Sequence, residues 1–170
     1  MRKIFSLFIV IFCTTLFCGC VNDDEEQGVV DLGPGDRIPE FTVEMSDGTV
    51  VTNDMLLGKV SVIFFFHTAC PDCQMELPVL QQLYETYNDK VEFVGIAAAE
   101  SLEPISLYWA EEHLTMPYSP QPDRAVLHLF APGIIPHIFI VDREGIIRNV
   151  HIDNPLATYE ELSVELDAIL

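Results

Sequence analysis

Two thiols a few residues apart can exchange electrons with a disulfide: one attacks, and the other resolves the mixed disulfide that forms. Cys70 and Cys73, in HTACPDC over residues 67–73, have that spacing. They follow an unbroken apolar run, VIFFF (Val62–Phe66), and precede a stretch with helical periodicity. A buried strand that ends in a C-x-x-C, with its second cysteine already inside a helix, sets the pair at a helix N-terminus. Unpaired N–H groups and a partial positive charge there favour a thiolate. Cys70 is the expected nucleophile and Cys73 the expected resolving thiol. Half of a zinc site has the same spacing. Structural zinc, however, commonly takes two such pairs, or one pair plus histidines at set intervals, and the chain has no second pair.

The elements that must position these thiols lie in a chain of 170 residues, enough for one domain with its own core. A hydrophobic content of 49% argues against disorder. The net charge of −19 argues against nucleic acid or an anionic lipid surface as partner, since both need a positive footprint. Residues 1–19 read as an address: Arg2 and Lys3, the apolar stretch Ile4–Phe12, then LFCGC. The segment is short for a transmembrane helix, which needs about 20 apolar residues. It resembles a bacterial lipoprotein signal peptide, with Gly19 before a lipidated Cys20. Phe17, where that pattern usually has leucine, departs from it, and an uncleaved anchor is the alternative. Either arrangement tethers the domain outside the cytoplasm, with the periplasmic side of a bacterial envelope the expected location.

Cleavage would remove Cys13 and Cys18, and lipid would occupy Cys20. That leaves Cys70 and Cys73 as the only free thiols. With Arg2 and Lys3 gone, six basic residues face 27 acidic ones, a net charge of −21. Residues 20–34 read as an acidic tether, closed by Gly33-Pro34-Gly35, and the folded domain as residues 35–170.

Within that domain FTVEM (Phe41–Met45) and TVV (Thr49–Val51) flank a turn and predict a hairpin. Lys59–Phe66 reads as a central strand buried on both faces. A helix follows over about 72–88, with Met75, Val79, Leu80, Leu83, Tyr84 and Tyr87 on its apolar face and Pro78 expected to kink it. Val91–Ala99 reads as a strand and Ser101–Leu114 as a helix capped by Ser101. Asp123–Phe130 reads as a short helix. His137–Asp142 and Ile146–Ile152 predict a second hairpin, and Leu156, Tyr159, Leu162, Leu166 and Ile169 an amphipathic terminal helix. The expected fold class is α/β: a mixed central sheet flanked by helices, with an N-terminal β-hairpin extension.

Over residues 33–170 the chain resembles the TlpA/ResA branch of the thioredoxin superfamily. The resemblance rests on GDRIPEF (Gly35–Phe41), LLGKVSVIFFF before the cysteines, CPDCQMELPVL through them, and GIIPHIFIVDREGIIR near the end. It implies a thioredoxin fold and a thiol–disulfide oxidoreductase whose only redox group is the Cys70–Cys73 disulfide, with no other cofactor and no metal. It implies a cis bond between Ile135 and Pro136 in a loop facing the cysteines, where the Ile135 backbone could pair with a substrate peptide. It also implies a site role for Glu100, at the end of the 91–99 strand, as proton partner of Cys73.

Departures from the family pattern are Ala69 where tryptophan is usual, Phe64 where thioredoxin has a buried acid, and the unusual His67 and His137. His67 could support the Cys70 thiolate or guide substrate. Asp72, a negative charge between the cysteines, opposes thiolate at Cys70 and favours a reductant, whereas a protonated His67 would act the other way. The partners implied are disulfide-containing envelope proteins, apocytochrome c among them, and a membrane electron donor. Three other classes fit the same thiols. One is a copper chaperone using Cys70, Cys73 and His67 or His137. Another is a peptide-binding module that no longer turns over. The third is a peroxidase forming a sulfenic acid on Cys70.

Overall fold

The computed structural model describes residues 30–170. The expected signal peptide, the expected lipidation site Cys20 and the greater part of the expected 20–34 tether lie outside these residues. The N-terminal hairpin pairs β1 (Thr42–Glu44) with β2 (Val50–Thr52), Val43 opposite Val51. A single helical turn, α1 (Asn53–Leu56), follows; Thr52 caps it by accepting a hydrogen bond from the Met55 amide.

The main sheet has five strands in the order β5-β4-β3-β6-β7. Its centre, β3 (Val60–Phe66), is followed by α2 (Pro71–Tyr87), and β4 (Val91–Ala97) returns parallel beside it. Next come α3 (Leu102–Glu111), the two-residue edge strand β5 (Tyr118–Ser119) and the short α4 (Ala125–His128). β6 (His137–Val141) then runs antiparallel to β3 and turns into β7 (Ile147–Ile152). α5 (Tyr159–Asp167) closes the chain, its N-terminus held by a Thr158–Glu161 capping box. Helix α1 and strand β5 excepted, the order is the one read from the sequence; both are too short to carry a periodic signal of their own.

All seven residues of β3 are buried because each face of the sheet is covered. Val62, Phe64 and Phe66 meet α2, α3 and α5 through Leu77, Leu80, Trp109 and Leu162. Ile63 and Phe65 face the other way, toward the hairpin, α1 and α4, through Val43, Leu56, Leu127 and Phe130. Strand alternation over two apolar layers therefore produces an uninterrupted hydrophobic run.

Helix α2 departs from expectation. Its buried side carries Cys73, Glu76, Leu77, Leu80, Gln81, Leu83 and Tyr87, and Met75 is 59% exposed. The apolar residues of this helix wrap around it, so periodicity admits two faces; burial of Cys73 against the sheet selects the one that leaves Met75 outside. Pro78 lies inside α2, which stays helical on both sides of it.

Gly95 on β4 lies opposite Phe64 in the parallel ladder, and the Phe64 ring covers it. A Cβ there would meet Phe64 Cζ at 2.5 Å and the Pro117 carbonyl oxygen at 2.9 Å. Gly95→Ala should therefore destabilise the protein by about 1–3 kcal/mol through overpacking. The check is the urea midpoint, and an unchanged midpoint would show that Phe64 can turn away at no cost.

Candidate active site

The site forms where β3 leaves the sheet. Residues 67–70 make a turn in which the Cys70 amide donates to the His67 carbonyl at 3.0 Å. Cys70 is the N-cap of α2, with extended backbone, and Pro71 occupies the first turn, where its missing N–H costs nothing. The Cys70 carbonyl accepts from the Gln74 amide at 3.0 Å. The two thiols differ sharply in exposure: Cys70 is half-buried, whereas Cys73, one turn inside the helix, is 1% exposed. The chain thus presents one sulfur to a partner and keeps the other against the core.

The loop before β6 completes the mouth of the site. The Ile135–Pro136 peptide is cis, and the Cys70 thiol lies 3.9 Å from the Ile135 carbonyl oxygen. Ile134 beside it is 46% exposed. Cys70, Cys73, Ile135 and Pro136, far apart in the chain, are gathered at one end of the sheet.

Glu100 is buried at the same end, just past β4. Its carboxylate accepts the Thr68 amide at 2.8 Å and the Thr68 hydroxyl. The Thr68 carbonyl in turn accepts from the Gln74 side chain at 2.7 Å. His67 Nδ1 accepts from the Ala69 amide at 3.1 Å and stands 3.7 Å from Glu100 Oε2. Glu100 therefore holds the turn that carries Cys70, and its oxygens are engaged with Thr68.

The acid nearest in kind to a proton partner for Cys73 is Glu76, one turn along α2 and 2% exposed. Its Oε1 accepts from the Ala157 amide at 2.9 Å, while Oε2 is buried with no partner among the described residues. Burial pushes the Glu76 carboxyl up to about 7; the Ala157 hydrogen bond and the charge of His151 oppose that rise, and Asp72 adds to it. Burial also pushes the Cys73 thiol strongly up, with further contributions from Cys70 and from the charge of Glu76. A buried carboxyl thus sits close enough to Cys73 for its charge to raise that thiol further. Tyr108 of α3 belongs to the same neighbourhood: burial first, then Glu112 and Cys73, pushes its phenol up.

Sequence reasoning missed Glu76, although a signal was present. It follows Cys73 by three residues and precedes Leu77, so it shares a helix face with Cys73 and goes inward wherever that cysteine is buried. His137 lies at the start of β6, 2% exposed, with its ring stacked on Phe139 at 4.6 Å between centroids. It shares Phe139's side of the sheet, opposite the face that receives Cys73, and burial holds it toward the neutral form. Among the described residues no three His, Cys, Asp or Glu side chains are grouped as ligands for a metal ion.

The AhpC/TSA family model matches residues 34–150. The chain belongs to the AhpC/TSA family. Within it, the thiol–disulfide oxidoreductase ResA of Bacillus cereus is 27% identical over 150 residues, covering 85% of this chain and 86% of that protein. Among solved structures, MTB DsbF, described in mixed oxidised and reduced forms, is 26% identical with a TM-score of 0.68, over 76% of this chain and 95% of the other. A thioredoxin-family thiol:disulfide interchange protein of Chlorobium tepidum has the same fold, with a TM-score of 0.68 at 24% identity, over 82% of this chain and 99% of its own. The fold is the thioredoxin fold, and the chain is a thioredoxin-like thiol–disulfide oxidoreductase of the TlpA/ResA type.

Glu76 links this site to stability. Folding raises its affinity for a proton, so its contribution is full below the ordinary value of 4.5 and is lost as pH rises through about 7. A displacement of that size corresponds to roughly 3 kcal/mol. The urea midpoint of the reduced protein should fall as the pH is raised across that window, and the fall should largely vanish in Glu76→Gln. Equal pH dependence in the two proteins would exclude an ionising buried Glu76.

Proposed function

We propose that this oxidoreductase reduces protein disulfides outside the cytoplasm, by dithiol exchange at Cys70 and Cys73, from a lipid anchor on Cys20. The observation that carries the reading is the asymmetry of the pair: an accessible Cys70 at a helix N-terminus, and a Cys73 sealed in the core beside Glu76. The Cys70 thiolate attacks a substrate disulfide, breaking its S–S bond and releasing one substrate thiolate. The mixed disulfide that results lies beside the Ile135 carbonyl, which is placed to accept from a backbone N–H of an extended substrate.

Cys73 then attacks Cys70 Sγ, gives up its proton to Glu76, and forms the Cys70–Cys73 disulfide as the second substrate thiolate leaves. Water outside the site protonates that thiolate. A buried thiol attacks only once deprotonated, and Glu76 is a buried carboxylate held close to neutral pH with one free oxygen. Glu100 keeps Thr68, and with it the Cys70 turn, in place; His67 borders the path of the substrate. A membrane electron donor resets the oxidised pair, and disulfide-containing envelope proteins such as apocytochrome c are the substrate class that the resemblance supports.

Asp72 supports the reducing direction. It stands in the first turn of α2, where its charge opposes a thiolate at the helix N-terminus and so leaves the dithiol a better donor of electrons. Equilibration with glutathione or dithiothreitol buffers should give a two-electron potential well below the glutathione range. A value near about −120 mV, that of a strong oxidant, would reverse the direction. For the anchor, Cys20→Ser should release the chain from the membrane fraction of a bacterial host and abolish incorporation of labelled fatty acid. Retention of both would assign the attachment to another segment.

A further inference from the structure

Glu76 is sealed from water, so a proton it receives from Cys73 needs a charged neighbour that can stabilise the ionised carboxylate between turnovers. The structure supplies one on the adjacent element. His151 of β7 pairs in register with Ile138 of β6, and cross-strand partners point to the same side of a sheet. Ile138 belongs to the layer that packs against α2, together with Cys73 and Leu77. His151 is thereby aimed at the α2–α5 layer. There its Nε2 lies 2.7 Å from Glu165 Oε2 on α5, with side-chain exposures of 17% and 22%.

Glu76 reaches into this layer from the opposite side. Its Oε1 takes the Ala157 amide at the approach to α5, and Oε2 has no partner. Glu165 and His151 stand at the solvent margin of this layer, and Glu76 and Cys73 are buried within it. The other charge acting on Glu76 is Asp72 on its own helix, which disfavours ionisation, whereas positive charge on His151 favours it.

We propose that His151, oriented by Glu165, is a positioning residue that governs the charge on Glu76 and through it the pH range in which Cys73 resolves the mixed disulfide. His151 touches neither substrate nor sulfur in this role. It acts on Glu76 across the α2–β7 layer, and Glu165 keeps its ring turned to that task. The proposal rests on the reading of Glu76 as the proton partner of Cys73.

The test uses the full chain with Cys13, Cys18 and Cys20 replaced by serine, so that Cys70 and Cys73 are its only thiols. Reduced protein mixed with the aromatic disulfide DTNB releases one thionitrobenzoate when Cys70 attacks. It releases a second when Cys73 displaces it from Cys70 and closes the Cys70–Cys73 disulfide. The second release is followed by stopped flow as a function of pH. His151→Gln, which can carry no positive charge, should move the pH midpoint of that step upward by about half a unit or more. His151→Lys, which restores positive charge, should bring the midpoint back to the wild-type value or below. A loss of packing alone would not follow the sign of the charge.

Coincident profiles for wild type, His151→Gln and His151→Lys would overturn the proposal. The dependence on Glu76 is separated by Glu76→Gln, which keeps the Ala157 hydrogen bond through its carbonyl oxygen. If Glu76→Gln leaves the midpoint where it is, the Glu76 reading fails and the His151 proposal falls with it. If Glu76→Gln removes the midpoint and His151→Gln does not move it, the Glu76 reading stands and the His151 proposal alone is wrong.

Discussion

The burial of β3 on both faces is the constraint on which the site depends. Seven residues in succession are shut in, so the strand has no freedom of register: a slip by one would exchange the two cores. Where the strand ends, the chain must turn at once into α2, because Cys73 and Leu77 already belong to the core beneath. The turn at 67–70 is therefore short and taut at both ends, and it delivers Cys70 to the surface and Cys73 to the interior. The difference in exposure between the two sulfurs, on which the proposed exchange relies, is a by-product of packing a helix against a strand that is buried on both faces.

Polar groups near the cysteines divide into those that hold and those that hold protons. Thr68 is bound through its amide, hydroxyl and carbonyl by Glu100 and Gln74, which fixes the turn without touching a sulfur. Glu76 is different, since one of its oxygens is buried without a partner and burial keeps its carboxyl close to neutrality. An unsatisfied buried polar atom is costly. In the proposed mechanism its presence one turn from Cys73 has a chemical use, because a carboxyl poised between its two protonation states can accept a proton and give it back.

The sequence by itself determined the C-x-x-C pair, its place at a strand–helix junction, the order of the main elements along the chain and the hairpin that follows the proline. These are local or periodic properties: a C-x-x-C is read directly, a doubly buried strand announces itself as an apolar run, and Gly and Pro punctuate the turns. Family likeness added the proline loop, since no periodicity connects Ile135 to Cys70 across a separation of 65 positions. The tertiary structure alone decided which face of α2 is buried, because its apolar residues surround the helix and only packing against β3 turns Met75 outward and Glu76 inward. It decided equally that Glu100 is bound to Thr68 and that His137 lies under the opposite face of the sheet. The physical reason is the same in each case. A side chain's charge state and partners are set by neighbours brought together from distant segments, and no spacing along the chain encodes them.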